Sequence, residues 1–160
     1  MFAFLWTTLW GKLLSVFLIS MVPFIELRGA LPVASVMGLD LSVAFPVAIL
    51  GNMVPVPFII LFIRKIFLLI RRWFPRLNRM VDRLEKKGES KRDLIERGAF
   101  WGLFVLVAIP IPGTGAWTGS LVAAMLNLRM KFAFPAIALG VVGAGVIMAA
   151  VSYWIPGLFF

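Results

Sequence analysis

The chain contains no cysteine and no histidine. Disulfides and thiolate chemistry are therefore excluded, and so are zinc sites of the usual His/Cys kind, histidine-based catalytic triads and the H-E-x-x-H protease motif. Acids are scarce: seven Asp and Glu stand against sixteen Lys and Arg, and only Glu26 and Asp40 lie outside residues 64–97. Two carboxylates set in separate turns do not make an acid–base pair, so no enzyme, cofactor or metal site is expected.

What the chain has in abundance is apolar surface. Of its 160 residues 62% are hydrophobic, with a mean hydropathy of +1.02, well above the roughly 45–50% apolar share of soluble domains. The formal charge of +9 is not spread as a nucleic-acid surface would spread it. Twelve of the sixteen basic residues fall within 64–97, between long apolar runs. This pattern predicts an all-α, multi-pass membrane protein forming one domain over 1–160, with no nucleic-acid partner.

The first run, 1–22, places Lys12 in its middle, whereas a signal peptide carries its basic residues ahead of the apolar core. It reads as a retained helix that enters the membrane or lies at its interface, with Trp6 and Trp10 as anchors. Pro23-Phe-Ile-Glu26-Leu-Arg28-Gly29-Ala-Leu-Pro32 follows. A charge at the bilayer centre costs about 2.5–3.5 kcal/mol on insertion scales, and a broken backbone there needs protein or a polar cavity around it. Residues 23–40 are accordingly expected to form a re-entrant hairpin broken at Pro23 and Pro32, with Gly29 onward as its returning half-helix. Residues 42–63 are long enough to span, with Ser42 as N-cap and kinks at Pro46, Pro55 and Pro57; the lone Asn52 is read as a packing residue.

Residues 64–97 form the extended polar stretch. Leu77, Met80, Val81 and Leu84 recur at helical spacing with Arg76, Arg79, Arg83 and Lys86 between them, which describes an amphipathic helix. The positive-inside rule puts this loop in the cytoplasm. A second break, Pro110-Ile-Pro112-Gly113-Thr114-Gly115-Ala-Trp117-Thr118-Gly119, opens a second hairpin over 109–127. Residues 132–153 then span.

Shifted by 89 positions, the sequence lies on itself without a gap, and nine of the 29 positions from 23 to 51 are identical, among them Pro23 on Pro112, Phe45-Pro46 on Phe134-Pro135 and Leu50-Gly51 on Leu139-Gly140. Residues 1–63 and 98–160 are thus read as two repeats. The first hairpin's connection carries Asp40 and the second carries Arg129 and Lys131, so the charge rule puts them on opposite faces, as inverted repeats. Broken segments at matching positions of inverted repeats point to a transport site near the midplane.

Each break exposes a half-helix N-terminus that favours an anion. Arg28 would add a planar guanidinium, Gly113, Gly115 and Gly119 would allow close backbone approach, and Glu26 in a dry site is suited to carrying a proton. Thr114, Trp117, Thr118 and Ser120 are uncharged candidates for the facing wall. The plainer alternatives are a compensating Glu26–Arg28 pair that fixes the turn, and hairpin-to-hairpin packing for the glycines and for Ala30-x-x-x-Ala34.

Glu-Leu-Arg-Gly-Ala-Leu-Pro after an apolar first segment, together with Pro-x-Pro-Gly-Thr-Gly-Ala-Trp-Thr-Gly, resembles the small multidrug export protein family over nearly the whole chain. That family looks like a compact relative of the DedA superfamily, bacterial inner-membrane proteins with paired re-entrant hairpins. The resemblance implies a proton-linked flippase or exporter of an anionic lipid such as undecaprenyl phosphate, or of a small amphiphile, working between the hairpins of a bacterial or archaeal cytoplasmic membrane protein. The alternatives are a cationic-drug exporter and a non-transporting membrane scaffold. DedA proteins carry arginines in the second hairpin and residues 110–126 hold none, so an anionic substrate would lean on Arg28, Lys12 or backbone N–H groups. With few spans per chain, closing a pathway laterally favours a homodimer.

Overall fold

A computed structural model describes residues 8–73, 92–111 and 113–154. Trp6, Pro112, the amphipathic stretch around residues 77–86 and the chain beyond 154 lie outside the described residues. Those residues form helices α1 (Leu9–Met21), α2 (Glu26–Val36), α3 (Leu41–Met53), α4 (Pro55–Trp73), α5 (Arg92–Ala108), α6 (Ala116–Met125) and α7 (Met130–Ala149). A π-helical turn, Ala150–Trp154, extends α7. Among the described residues there is no strand.

Lengths sort these helices into two kinds. Helix α3 runs into α4 through Val54, just ahead of Pro55, as one apolar span, Leu41–Ile66, of 26 residues; α7 with its π turn makes another, Met130–Trp154, of 25. At 1.5 Å per residue each is about 38 Å long, enough to cross a hydrocarbon core of ~30 Å. Their most apolar windows are only 28% and 39% buried, unlike a helix sealed inside a soluble core. Helices α2 and α6, with 11 and 10 residues, are about 15 Å long and reach half that thickness.

The 89-residue shift is visible in the backbone. All six described residues with positive φ form three pairs at that spacing: Phe24 (71°) with Gly113 (86°), Glu26 (51°) with Gly115 (144°), and Gly38 (67°) with Asn127 (50°). The last pair closes matched Schellman caps. Gly38 and Leu39 donate to Ser35 and Ala34, while Asn127 and Leu128 donate to Ala124 and Ala123, all at 2.9–3.1 Å. Glycine and asparagine are the residues that hold this left-handed position most readily, and buried Leu39 and Leu128 pin the turns. Asp40 and Arg129 then enter the long helices with nearly identical extended conformations.

Packing repeats as well. Helix α3 lies on α1 and α7 on α5, each through a glycine set against a carbonyl: a Cβ on Gly51 would strike Phe17 O, and one on Gly140 would sit 3.0 Å from Phe104 O. The far part of each long helix crosses to the other half, α4 onto α6, and α7 with its π turn onto α2. Two hydrogen bonds mark the crossings. Tyr153 Oη donates to Leu39 O at 3.1 Å, and Arg64 Nη2 donates to Leu128 O. The start of each long element therefore lies beside the end of the other, so they run antiparallel. Arg64, Lys65, Arg129 and Lys131 gather at one end of the molecule and Asp40 at the other.

Three expectations are corrected. Pro32 is not a break: it lies inside α2, where the missing N–H leaves one carbonyl free without ending so short a helix. The returning helix starts at Glu26 rather than Gly29, so Glu26 and Arg28 occupy its first turn. Ser42 is not the N-cap, since Asp40 holds that position and α3 begins at Leu41.

Candidate functional site

The two breaks, 22–25 and 109–115, meet at the middle of the fold, and each supplies what the other lacks. Helix α6 begins after Gly115, an N-cap residue with no side chain to offer. Its first N–H groups are met instead from the opposite half: Glu26 accepts from Trp117 N at 3.1 Å and from Ala116 N. The Glu26 side chain is buried, with 4% of its surface exposed. A carboxylate at a helix N-terminus gains from both the unpaired N–H groups and the dipole. Gly115 is required twice over, by its φ of 144° and because a Cβ there would fall on the Glu26 carboxylate.

Arg28 serves the other end of that break. Its Nη2 donates to Ile109 O at 2.8 Å, Thr114 Oγ1 at 3.1 Å and Val107 O at 3.3 Å; its Nη1 donates to Ile111 O and Thr114 O. Apart from the Thr114 hydroxyl these are carbonyls at and beyond the end of α5 at Ala108, and the planar fork of a guanidinium suits such a fan of acceptors. Buried Nε makes no hydrogen bond. Thr114 Oγ1 also donates toward Ile109 O and Ile111 O, both at 2.9 Å. Thr118 Oγ1 donates to Gly113 O at 2.7 Å.

The residue at Arg28's place in the second half is Trp117, and it returns the gesture. Its Nε1 donates to Met21 O at 3.2 Å, the last residue of α1. At the two crossings, then, Arg28 faces the end of α5 while Trp117 faces the end of α1, and Glu26 faces Gly115.

Glu26, Arg28, Gly113, Thr114, Gly115, Trp117 and Thr118 are thus brought together where the two breaks meet. Glu26 and Arg28 feel each other's charge, but each is hydrogen-bonded to the backbone of the opposite half rather than closing its own turn as a pair. Gly119 does not pack hairpin on hairpin; a Cβ there would meet Val107 and Ile137 of its own half. Gly29 sits against Ile25, and Pro23 and Pro110 lie in the breaks. Buried Asn52 Oδ1 has no partner. Arg64 and Tyr153, 89 positions apart, are cross-half contacts that residue type alone did not single out; the internal alignment that pairs them, and pairs their acceptors Leu128 and Leu39, was the available signal.

Among the described residues the fold is all-helical, and its two long apolar helices with mostly uncovered surfaces fit a membrane protein. A family model described as "Putative small multi-drug export protein" matches residues 26–147. The chain belongs to that family, and at that level it is a transporter. Among curated proteins and among solved structures nothing matches the chain.

Proposed function

We propose that this protein exports small amphiphilic cations across a bacterial or archaeal cytoplasmic membrane, exchanging them for protons at Glu26. The observation that carries the reading is the buried Glu26 carboxylate at the crossing of the two breaks. A cation and a proton compete for one carboxylate, which couples their movements in opposite directions. Export, rather than catalysis or scaffolding, accords with the family description. In this reading the halves are inverted repeats with re-entrant hairpins. The basic end and residues 64–97 face the cytoplasm by the positive-inside rule, and a second copy closes the pathway laterally.

The finer alternative is a DedA-like flippase for an anionic lipid. It needs Arg28 for the phosphate, and Arg28 donors are engaged by the carbonyls of 107–114. Freeing the guanidinium would give up these charge-assisted hydrogen bonds. The cationic substrate leaves that network in place.

Binding to purified protein separates the two. Wild type, Glu26→Gln and Arg28→Ala are compared against cationic drugs, undecaprenyl phosphate and anionic phospholipid, by native mass spectrometry with thermal stability followed in parallel. Drug binding abolished in a folded Glu26→Gln protein is the expected result. Phosphate-dependent lipid binding lost in Arg28→Ala would replace the exporter with the flippase.

A further inference from the structure

The two ends of the molecule are fastened by equivalent bonds. Arg64 and Tyr153 are 89 positions apart, and so are their acceptors, Leu128 O and Leu39 O. Each joins the end of one long helix to the tight turn of the opposite half, and both bonds are only part-buried. The centre is different. There the Glu26 carboxylate, itself 4% exposed, accepts from the start of α6, with the exposed and part-buried bonds of Arg28 and Trp117 beside it.

This arrangement sets a gradient of cost. A part-buried carbonyl at the end of the molecule can exchange its protein donor for water, so opening a latch there is cheap. Breaking the central contacts would leave the buried Glu26 carboxylate without its donor, which is expensive. Motion of one half against the other therefore pivots on the centre. With the long elements antiparallel, a tilt that parts one end presses the other together.

The Tyr153 end carries an additional device. Tyr153 lies in the π-helical turn Ala150–Trp154, and Ser35 Oγ donates to Ser152 O at 2.9 Å beside it. A π turn holds one residue more than the α-helix would, and relaxing it swings the residues beyond it around the axis. The matching position at Arg64 is ordinary α-helix.

We propose that Arg64–Leu128 and Tyr153–Leu39 are the two gates of an alternating-access movement, both latched in this structure, with the Glu26–Arg28–Trp117 crossing as the fulcrum. Arg64 closes the basic end and Tyr153 the end marked by Asp40. The assignment rests on the transport reading above, but the latches are tested without any substrate.

The chain's lack of cysteine makes it a clean background for reporters. Ala34 and Ala123 are fully buried, 89 positions apart, and lie directly under the latched turns, their carbonyls accepting from Leu39 N and Leu128 N. Ala34→Cys and Ala123→Cys are made singly, the protein is placed in nanodiscs so that both faces are wet, and labelling by a water-soluble maleimide is timed. Arg64→Met is expected to speed labelling at position 123 about tenfold, equal to about 1.4 kcal/mol, with no rise at position 34; Arg64→Lys restores the slow rate. Tyr153→Phe removes one hydroxyl and is expected to speed labelling at position 34 about threefold, with no rise at 123, since a neutral hydrogen bond is roughly half as strong as a charge-assisted one.

Both reporters rising together in either variant, or neither moving, would overturn the gates. Because Tyr153→Phe loses no more than its hydroxyl, its result decides even if Arg64→Met fails to fold. Reciprocal labelling with no drug flux in wild-type proteoliposomes would uphold the latches and sink the transport reading. Flux with unchanged labelling would sink the latches alone.

Discussion

Gly115→Ala tests the contact on which the central crossing depends. Gly115 has φ 144° and ψ −165°, a region open essentially to glycine, where another residue costs of order 1–3 kcal/mol. Its new methyl group would fall on the Glu26 carboxylate and push it off the N–H groups of Ala116 and Trp117. A hydrogen bond to a charged group contributes about 1.5–3 kcal/mol. Losing two of these together with the backbone penalty gives at least about 4 kcal/mol, against a total stability of roughly 5–15 kcal/mol for a typical domain. The double-mutant cycle with Glu26→Ala isolates the contact. With the carboxylate gone, Gly115→Ala should cost only its backbone share, so the two changes should fall short of additive by about 3 kcal/mol. Reversible unfolding of the four proteins in mixed detergent micelles measures this. Additivity within about 0.5 kcal/mol would refute the argument, since sites that do not touch add to that degree.

Two other outcomes follow from the same geometry. Gly38→Ala should destabilise by about 1–2 kcal/mol, because its φ of 67° is left-handed and the space around it is open, so that only the backbone is taxed; Asn127→Gly, at the matched position, should be neutral or better, and thermal unfolding of the pair checks both. Trp117→Phe should cost about 1 kcal/mol by removing the donor to Met21 O, and hydrogen exchange should localise the loosening to the end of α1 rather than to α6.

What recurs at the 89-residue spacing is backbone requirement, and part of it was legible in the sequence. Positions that demand a left-handed turn or a close approach admit few residue types, so Gly51 matched Gly140, and Gly38 matched Asn127 as the next-best choice. Phe24 and Glu26 hid the other two pairs, since nothing in a phenylalanine or a glutamate announces positive φ. Pro32 misled for a related reason. Proline in a short apolar stretch looks like a stop, yet a helix held between neighbours tolerates it, as Pro46 and Pro135 do within their long helices. Of the partners of Arg28 only Thr114 was legible. The others are main-chain carbonyls about eighty residues away, and a carbonyl leaves no mark on residue identity. Gly115, by contrast, held a clue, because an N-cap glycine with no side-chain acceptor leaves donors that must be met from elsewhere.

The trade of caps across the centre bears on how the chain is made and where it came from. When the ribosome has delivered the first half, the groups that Glu26 and Arg28 serve are not yet synthesised. The first half must wait, held by its own packing or by the insertion machinery, until α5 and α6 arrive. The exchange is also lopsided: a carboxylate against a glycine, a guanidinium against an indole. Two copies of the first half would set carboxylate against carboxylate at the pivot, and two copies of the second would bring glycine to glycine with no acceptor for either helix. At this crossing each half completes the other, and neither could complete a second copy of itself.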